Sequence, residues 1–161
     1  LTMPKLLIHG TNDPYWVVDS ANLYWDDLPG PKYVLNQPNV GHGVDPMRFI
    51  AAEGAFYLAC AGRLQLPQLN WHFQRDADRL KLGIITDMTP KRVARWTASA
   101  PTRDLRPAKW EATPVEMAGG QWVAELAKPA TGYAAMFAEV VYDLGGREVP
   151  FSTAIEVIGG P

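Results

Sequence analysis

The stretch Leu6–Val44 reads LLIHGTNDPYWVVDSANLYWDDLPGPKYVLNQPNVGHGV, and its punctuation decides the fold. Two apolar runs, Lys5–His9 and Lys32–Leu35, each feed a loop. Nearly continuous apolar strands of this kind belong to parallel sheets covered on both faces. In the first loop, Thr11-Asn12-Asp13-Pro14, short polar side chains fold back onto nearby backbone and proline fixes φ. The second, Asn36–Gly43 (NQPNVGHG), sets His42 between Gly41 and Gly43, which supply backbone freedom. Between the runs, Asp19 and Ser20 offer N-caps for a helix through about Leu28, stopped by Pro29-Gly30-Pro31. The unit is strand, Asp loop, helix, strand, His loop. Parallel strands would bring both loops to one edge, where open α/β sheets bind ligands.

An acid loop followed by a base loop is the chain order of a Ser…Asp…His triad as an α/β hydrolase presents it. No Gly-x-Ser-x-Gly occurs in the 161 residues, so the nucleophile is not supplied here. The expected fold is therefore the C-terminal part of an α/β-hydrolase sheet. In serine acyl transfer a histidine takes the hydroxyl proton, and a carboxylate fixes its tautomer and stabilises its charged form. Asp13 and His42 are the candidate acid and base, 29 residues apart, room for a helix and a strand. The plainer alternatives are an Asp13 that stabilises its own turn and a His42 that is a surface-loop residue. Tyr15 and Trp16 follow the acid and are candidate substrate-binding walls, with simple packing as the alternative. His9 ends a strand and reads as a hydrogen-bonded, partly buried histidine, while His72 has no partner at a useful spacing. A metal site needs about three ligands. His9, Asp13 and His42 lack ligand spacing, so no metal is expected. The triad chemistry needs no cofactor.

Outward from this unit, Asp45 and Pro46 start a second helix, with Asp45 as N-cap and Pro46 at the first position. Met47–Ala61 is apolar nearly all round, which predicts a mostly buried helix, stopped by Gly62. Cys60 lies in it as a small core residue. Arg63–Gln68 contains a proline and lacks helical period, and marks the expected boundary between residues 1–64 and 69–161.

Beyond it the apolar period becomes two. Leu80, Leu82 and Ile84 alternate with their neighbours, as do Ala94, Trp96 and Ala98, and Trp122, Ala124 and Leu126. Tyr133, Ala135, Phe137 and Val141 share one face of a long strand, and Phe151, Thr153, Ile155 and Val157 share another. Turn signals at Asp76–Asp78, Thr89-Pro90, Gly119-Gly120 and Gly145-Gly146 divide about seven strands, which predicts an all-β sandwich. Trp96 and Trp122 are the expected core anchors. Gly132-Tyr133 is similar to the tyrosine corner of immunoglobulin-like and fibronectin type III domains.

An apolar fraction of 47% suits a packed chain. A net charge of −2 with scattered basic residues argues against nucleic acid as a partner. No apolar run approaches the roughly 18 residues of a membrane span. The single cysteine excludes an internal disulfide. The sequence opens on Leu1 and enters a strand almost at once, without initiator Met or signal peptide, and reads as a fragment.

The motifs HGTNDPYW, DSANLYWDDLPG and PNVGHG together resemble the PhoPQ-activated pathogenicity-related protein family, which is linked to autocrine proliferation repressor proteins. The resemblance is strongest over about the first 60 residues and weaker over the β part. It implies an α/β-hydrolase fold, an exported protein, and family acid and base falling on Asp13 and His42. The expected parent is a serine hydrolase acting on an ester or amide of a small molecule or peptide. This chain alone would be catalytically silent. The rival is a secreted binding or signalling protein on a hydrolase scaffold, with the β-sandwich meeting a protein or glycan.

Overall fold

The computed structural model describes residues 2–160. The chain starts with β1 (Lys5–Gly10) and reaches β2 (Lys32–Gln37) through a short 3₁₀ turn at Ser20–Leu23. The helix α1 (Pro46–Cys60) follows. Strands β3 (Leu69–Arg75), β4 (Arg79–Thr86), β5 (Arg92–Ala100), β6 (Glu111–Pro114) and β7 (Met117–Ala118) come next. The chain ends with β8 (Gln121–Ala127), β9 (Gly132–Asp143), β10 (Glu148–Ser152) and β11 (Glu156–Gly160). The described residues are mostly β, with one α-helix. No helix among them is long and apolar enough to cross a membrane.

β1 and β2 pair in parallel, with Lys5 opposite Lys32 and His9 opposite Asn36. Both therefore deliver their following loops to the same end. The two strands are unequally covered. β1 is half-buried along its whole length, while Val34 to Gln37 of β2 are buried. The reason is position: β2 lies beside β10, where Asn36 donates from its backbone N–H to Ser152 Oγ and from its side chain to the Thr153 carbonyl.

The other strands form two antiparallel sheets. One runs β10-β9-β5-β6, with β11 also on β9, and the other runs β3-β4-β8-β7. Alternation explains how they pack. Leu80, Leu82 and Ile84 of β4 meet Met136, Ala138, Val140 and Tyr142 of β9 in one cluster. The odd-numbered Ala135 and Phe137 of β9 point the other way, into a second cluster with Leu105, Trp110, Ile155 and Val157. β9 is thus buried on both faces and forms the centre of the molecule. The first cluster also takes in Ala55 of α1 and Leu66, with Leu6 and Tyr33 packed against it, so apolar packing runs continuously from β1–β2 into the paired sheets.

Several expectations need correction. The helix from Asp19 to Leu28 is only the 3₁₀ turn at Ser20–Leu23, because Asp19 makes no capping bond. Its carboxylate instead binds Arg103 at 2.6 Å. α1 begins as expected, with Asp45 accepting from the N–H groups of Met47 and Arg48. It also ends as expected: Gly62 adopts φ +69°, and bonds from Gly62 N to Ala59 O and Arg63 N to Leu58 O close a Schellman motif. It is not mostly buried, however. Only Ala52 and Ala55 are buried, whereas Met47, Ile50 and Tyr57 are 79%, 63% and 72% exposed. Cys60 is exposed rather than a core residue. Apolar composition without amphipathic contrast gave no clue to which face would be covered.

In the β part, nine strands replace about seven, since the short β6 and β7 carry little apolar signal. Phe151 and Val157 do not share one strand. β10 ends at Ser152, β11 starts at Glu156, and both pair with β9. Trp96 is half-buried and stacked on Phe137, and Trp122 packs partly buried against the first cluster. The fully buried tryptophan is Trp110 at 1% exposure, which sits in no alternating run.

Candidate functional site: a carboxylate–imidazole pair on two strand-end loops

Gly10 ends β1 where the next loop must pass close. A Cβ there would collide with the carbonyls of Val40 and Gly41, so only glycine lets the two loops lie against each other. The loops are then sewn together by backbone bonds from Thr11 N to Gln37 O and from Asn12 N to Val40 O. Thr11, 2% exposed, adds a side-chain bond: its Oγ1 accepts from Asn39 N at 2.9 Å.

This places Asp13 Oδ2 2.8 Å from His42 Nδ1. The other oxygen, Oδ1, accepts from Tyr15 N at 2.8 Å and Trp16 N at 3.3 Å. Burial works to raise the Asp13 carboxyl, but these N–H bonds and the neighbouring imidazole outweigh it and hold it below the usual carboxylate value. The carboxylate is therefore charged, fixed on both oxygens and only 11% exposed in its side chain. The His42 side chain is 59% exposed. A short turn with Gly43 N bonded to Gly41 O presents it. With Nδ1 committed to Asp13, the neutral ring carries its proton there and keeps Nε2 as the basic nitrogen.

Both residues line a cleft of about 510 Å³, with His9, Trp16, Asn36 and Ile155 also on its walls. Tyr15 meets the His42 ring edge-on, with centroids 4.7 Å apart, and Tyr15 and Trp16 are 73% and 65% exposed. Trp16, Val17 and Leu23 also line a neighbouring cleft of about 660 Å³, whose far side is the segment Arg103–Arg106. His9 is half-buried at the floor. Burial lowers its pKa, against the pull of Asp13 and a hydrogen bond with the Asn36 side chain. The structure thus brings Asp13, Tyr15, Trp16, His42 and His9 to one place. His72 sits apart on β3, its ring laid over Gly83 of β4. No group of three metal-ligating side chains occurs among the described residues.

The sequence reading missed the residues that hold the loops. Asn12 looked like a turn former, and Asn36, Gln37 and Asn39 like loop residues, whereas Asn36 and Gln37 belong to β2. Only Asn39 leaves a trace, because it adopts φ +62°, a conformation asparagine tolerates better than most residues.

The family model for PhoPQ-activated pathogenicity-related protein matches residues 1–106, which include both loops and the segment facing them. The chain belongs to the PhoPQ-activated pathogenicity-related protein family. The family match spans Asp13, His42 and Arg103–Arg106 and stops before β6. No curated protein matches this family member. Two solved structures are similar to part of it. One is a carbohydrate-binding module family 56 β-1,3-glucan binding domain, with TM-score 0.38, 6% identity, and coverage of 56% of this chain and 96% of that one. The other is the Br derivative BhCBM56, with TM-score 0.39, 8% identity, and coverage of 58% and 92%.

Proposed function

We propose that this chain carries the acid and base of a serine hydrolase, with the nucleophile supplied by polypeptide outside this sequence. One observation carries the reading: the 2.8 Å bond between Asp13 Oδ2 and His42 Nδ1, made by a fixed carboxylate and an exposed ring. In this mechanism His42 Nε2 takes the proton from a serine hydroxyl as its oxygen attacks the ester or amide carbonyl carbon. His42 then gives that proton to the departing alcohol or amine. Water repeats the sequence and releases the acid. Asp13 holds the ring in the Nδ1–H tautomer and stabilises the imidazolium without itself taking the proton. Trp16 walls the substrate cleft, Tyr15 stands beside it against the His42 ring, and the substrate is a small-molecule or peptide ester or amide.

The same reading treats residues 1–64 as the end of an α/β-hydrolase sheet and residues 69–161 as an immunoglobulin- or fibronectin III-like sandwich in an exported protein. Family membership and the parallel β1–β2 pair support the first assignment. The two antiparallel sheets packed through β9 support the second. The outer edge of β1 has no ladder partner among the described residues, which suits a sheet continued by the strand that brings the nucleophile.

The test uses the longer polypeptide that contains this chain. A fluorophosphonate probe labels one serine in it, and His42→Ala abolishes both labelling and ester turnover while the circular dichroism spectrum stays unchanged. Undiminished labelling in His42→Ala removes the proposal.

A further inference from the structure

Both loops of the acid–base pair are tied to one short segment of the β part. From the acid loop, Asn12 Nδ2 donates to the carbonyls of Arg106 at 2.8 Å and Ala108 at 2.7 Å. From the base loop, Asn39 Nδ2 donates to Trp110 O at 2.9 Å, and its Oδ1 accepts from Trp110 N at 2.8 Å. Trp110 is 1% exposed, with its ring 5.4 Å from Phe137 of β9. The segment is braced at its other end as well. Arg106 grips Asp104 through two bonds, at 2.8 and 2.6 Å, and reaches Pro14 O at 3.4 Å.

We infer that Asn12 and Asn39 are positioning residues that clamp the Asp13 and His42 loops to the Arg106–Trp110 segment and so set the distance between acid and base. The inference rests on the reading of Asp13 and His42 as a working pair. The arrangement is economical for such a role. Asn12 is adjacent to Asp13 and Asn39 is three residues before His42, so each side chain fixes its own loop. Thr11 joins the clamps, since its hydroxyl donates to Asn12 Oδ1 and accepts from Asn39 N. Two loops fixed to one rail cannot drift apart independently. A loop fixed only to its own strand could. Small losses of position at such a pair are costly, because the carboxylate works only while it holds the ring.

The tautomer of His42 reads this directly, without a nucleophile. The probe is the full 161-residue chain labelled with ¹⁵N-histidine and followed by long-range ¹H–¹⁵N correlation, at a pH where the rings are neutral. His42→Gln assigns the signal. The wild-type ring is expected as the Nδ1–H form, and Asp13→Ala sets the benchmark for a released ring. Asn39→Gly removes the clamp but keeps the left-handed backbone free of strain, and Asn12→Ala removes the other clamp without touching Trp110. Both are expected to lose the Nδ1–H form towards the Asp13→Ala spectrum. Asn39→Asp, which retains the acceptor for Trp110 N, is expected to keep more of it. Wild-type tautomers in both Asn39→Gly and Asn12→Ala, alongside a changed Asp13→Ala, overturn the clamp and leave the pair standing. A wild-type ring identical to Asp13→Ala overturns the pair itself. Loss of tryptophan-fluorescence-monitored folding in both asparagine variants makes the contacts part of the folding core and also overturns the positioning role.

Discussion

β1 and β9 are both apolar strands, yet they have opposite standing in the molecule. β9 pairs with β5, β10 and β11 and buries both faces. Among the described residues β1 pairs with β2 alone, and it is half-buried throughout. The difference teaches where rigidity comes from. The Asp13–His42 pair lies just beyond the ends of β1 and β2, and the contacts that fix its loops lead back to the well-covered strand. Asn39 reaches Trp110, Trp110 packs on Phe137, and Phe137 belongs to β9.

The same truncation in the two regions gives the largest contrast. Leu82 of β4 is fully buried against β9, and Leu82→Ala should cost about 2–5 kcal/mol through lost transfer energy and the cavity left behind. Leu7 of β1 keeps part of its surface in water, so Leu7→Ala should cost only about 1 kcal/mol. Urea denaturation of both variants measures the difference. Equal costs would mean that β1 is covered in solution by something other than the described residues.

α1 divides the same way along its own length. Ala52 is fully buried, and Ala52→Leu should overpack its site at a cost of about 1–3 kcal/mol. Ile50, two residues away, is 63% exposed, and Ile50→Lys should stay within about 0.5 kcal/mol of wild type. Thermal melts of the two variants should separate clearly. A strong loss in Ile50→Lys would show that this face is occupied.

How much of this was legible in the sequence depended on how local each signal was. The two parallel strands, the Asp45 cap, the Gly62 stop and the Leu80-Leu82-Ile84 face all follow from neighbours within a few residues. The short 3₁₀ turn was not legible, because Asp19 had a distant competitor in Arg103. The exposed face of α1 was not legible either, since its composition is apolar on every side. The contact between Asp13 and His42 could be expected from two loops at one sheet end. The clamps on Asn12 and Asn39 join residues 71 to 96 positions apart, and no local pattern announces them.

Acid should strain the β1 region first. Burial lowers the pKa of His9 from 6.5, so the folded state holds it neutral. Below about pH 6.5 the unfolded chain binds a proton that the folded chain resists, and stability falls as pH drops. The Asp13 carboxyl acts in the same sense but in a lower pH window. Its pKa is lowered from 3.8, so its contribution is present above that value and lost as pH falls through the folded value. Between about 3.8 and 6.5, therefore, His9 is the member of this pair that erodes stability. His9→Gln should flatten the urea midpoint between pH 6.5 and 5 relative to wild type. An unchanged slope would take His9 out of the account.

Alkali should act on β9 instead. Burial pushes the Tyr142 phenol up to about 12, although its hydrogen bond to Thr86 Oγ1, 2.9 Å long, pulls the other way. The neutral phenol is thus favoured by the fold. Its contribution is fully present below the unfolded value of 10.0 and is lost as pH rises from there to about 12. Tyr142→Phe removes one hydrogen bond at a cost of about 0.5–1.5 kcal/mol near neutrality. It should also delete the last step of the 295 nm absorbance titration. If that step survives in Tyr142→Phe, the β9 core is more open to hydroxide than its burial implies, and the contrast with β1 narrows. If it disappears, acid acts on β1 through His9 and alkali acts on β9 through Tyr142, each a titratable side chain that its packing keeps neutral.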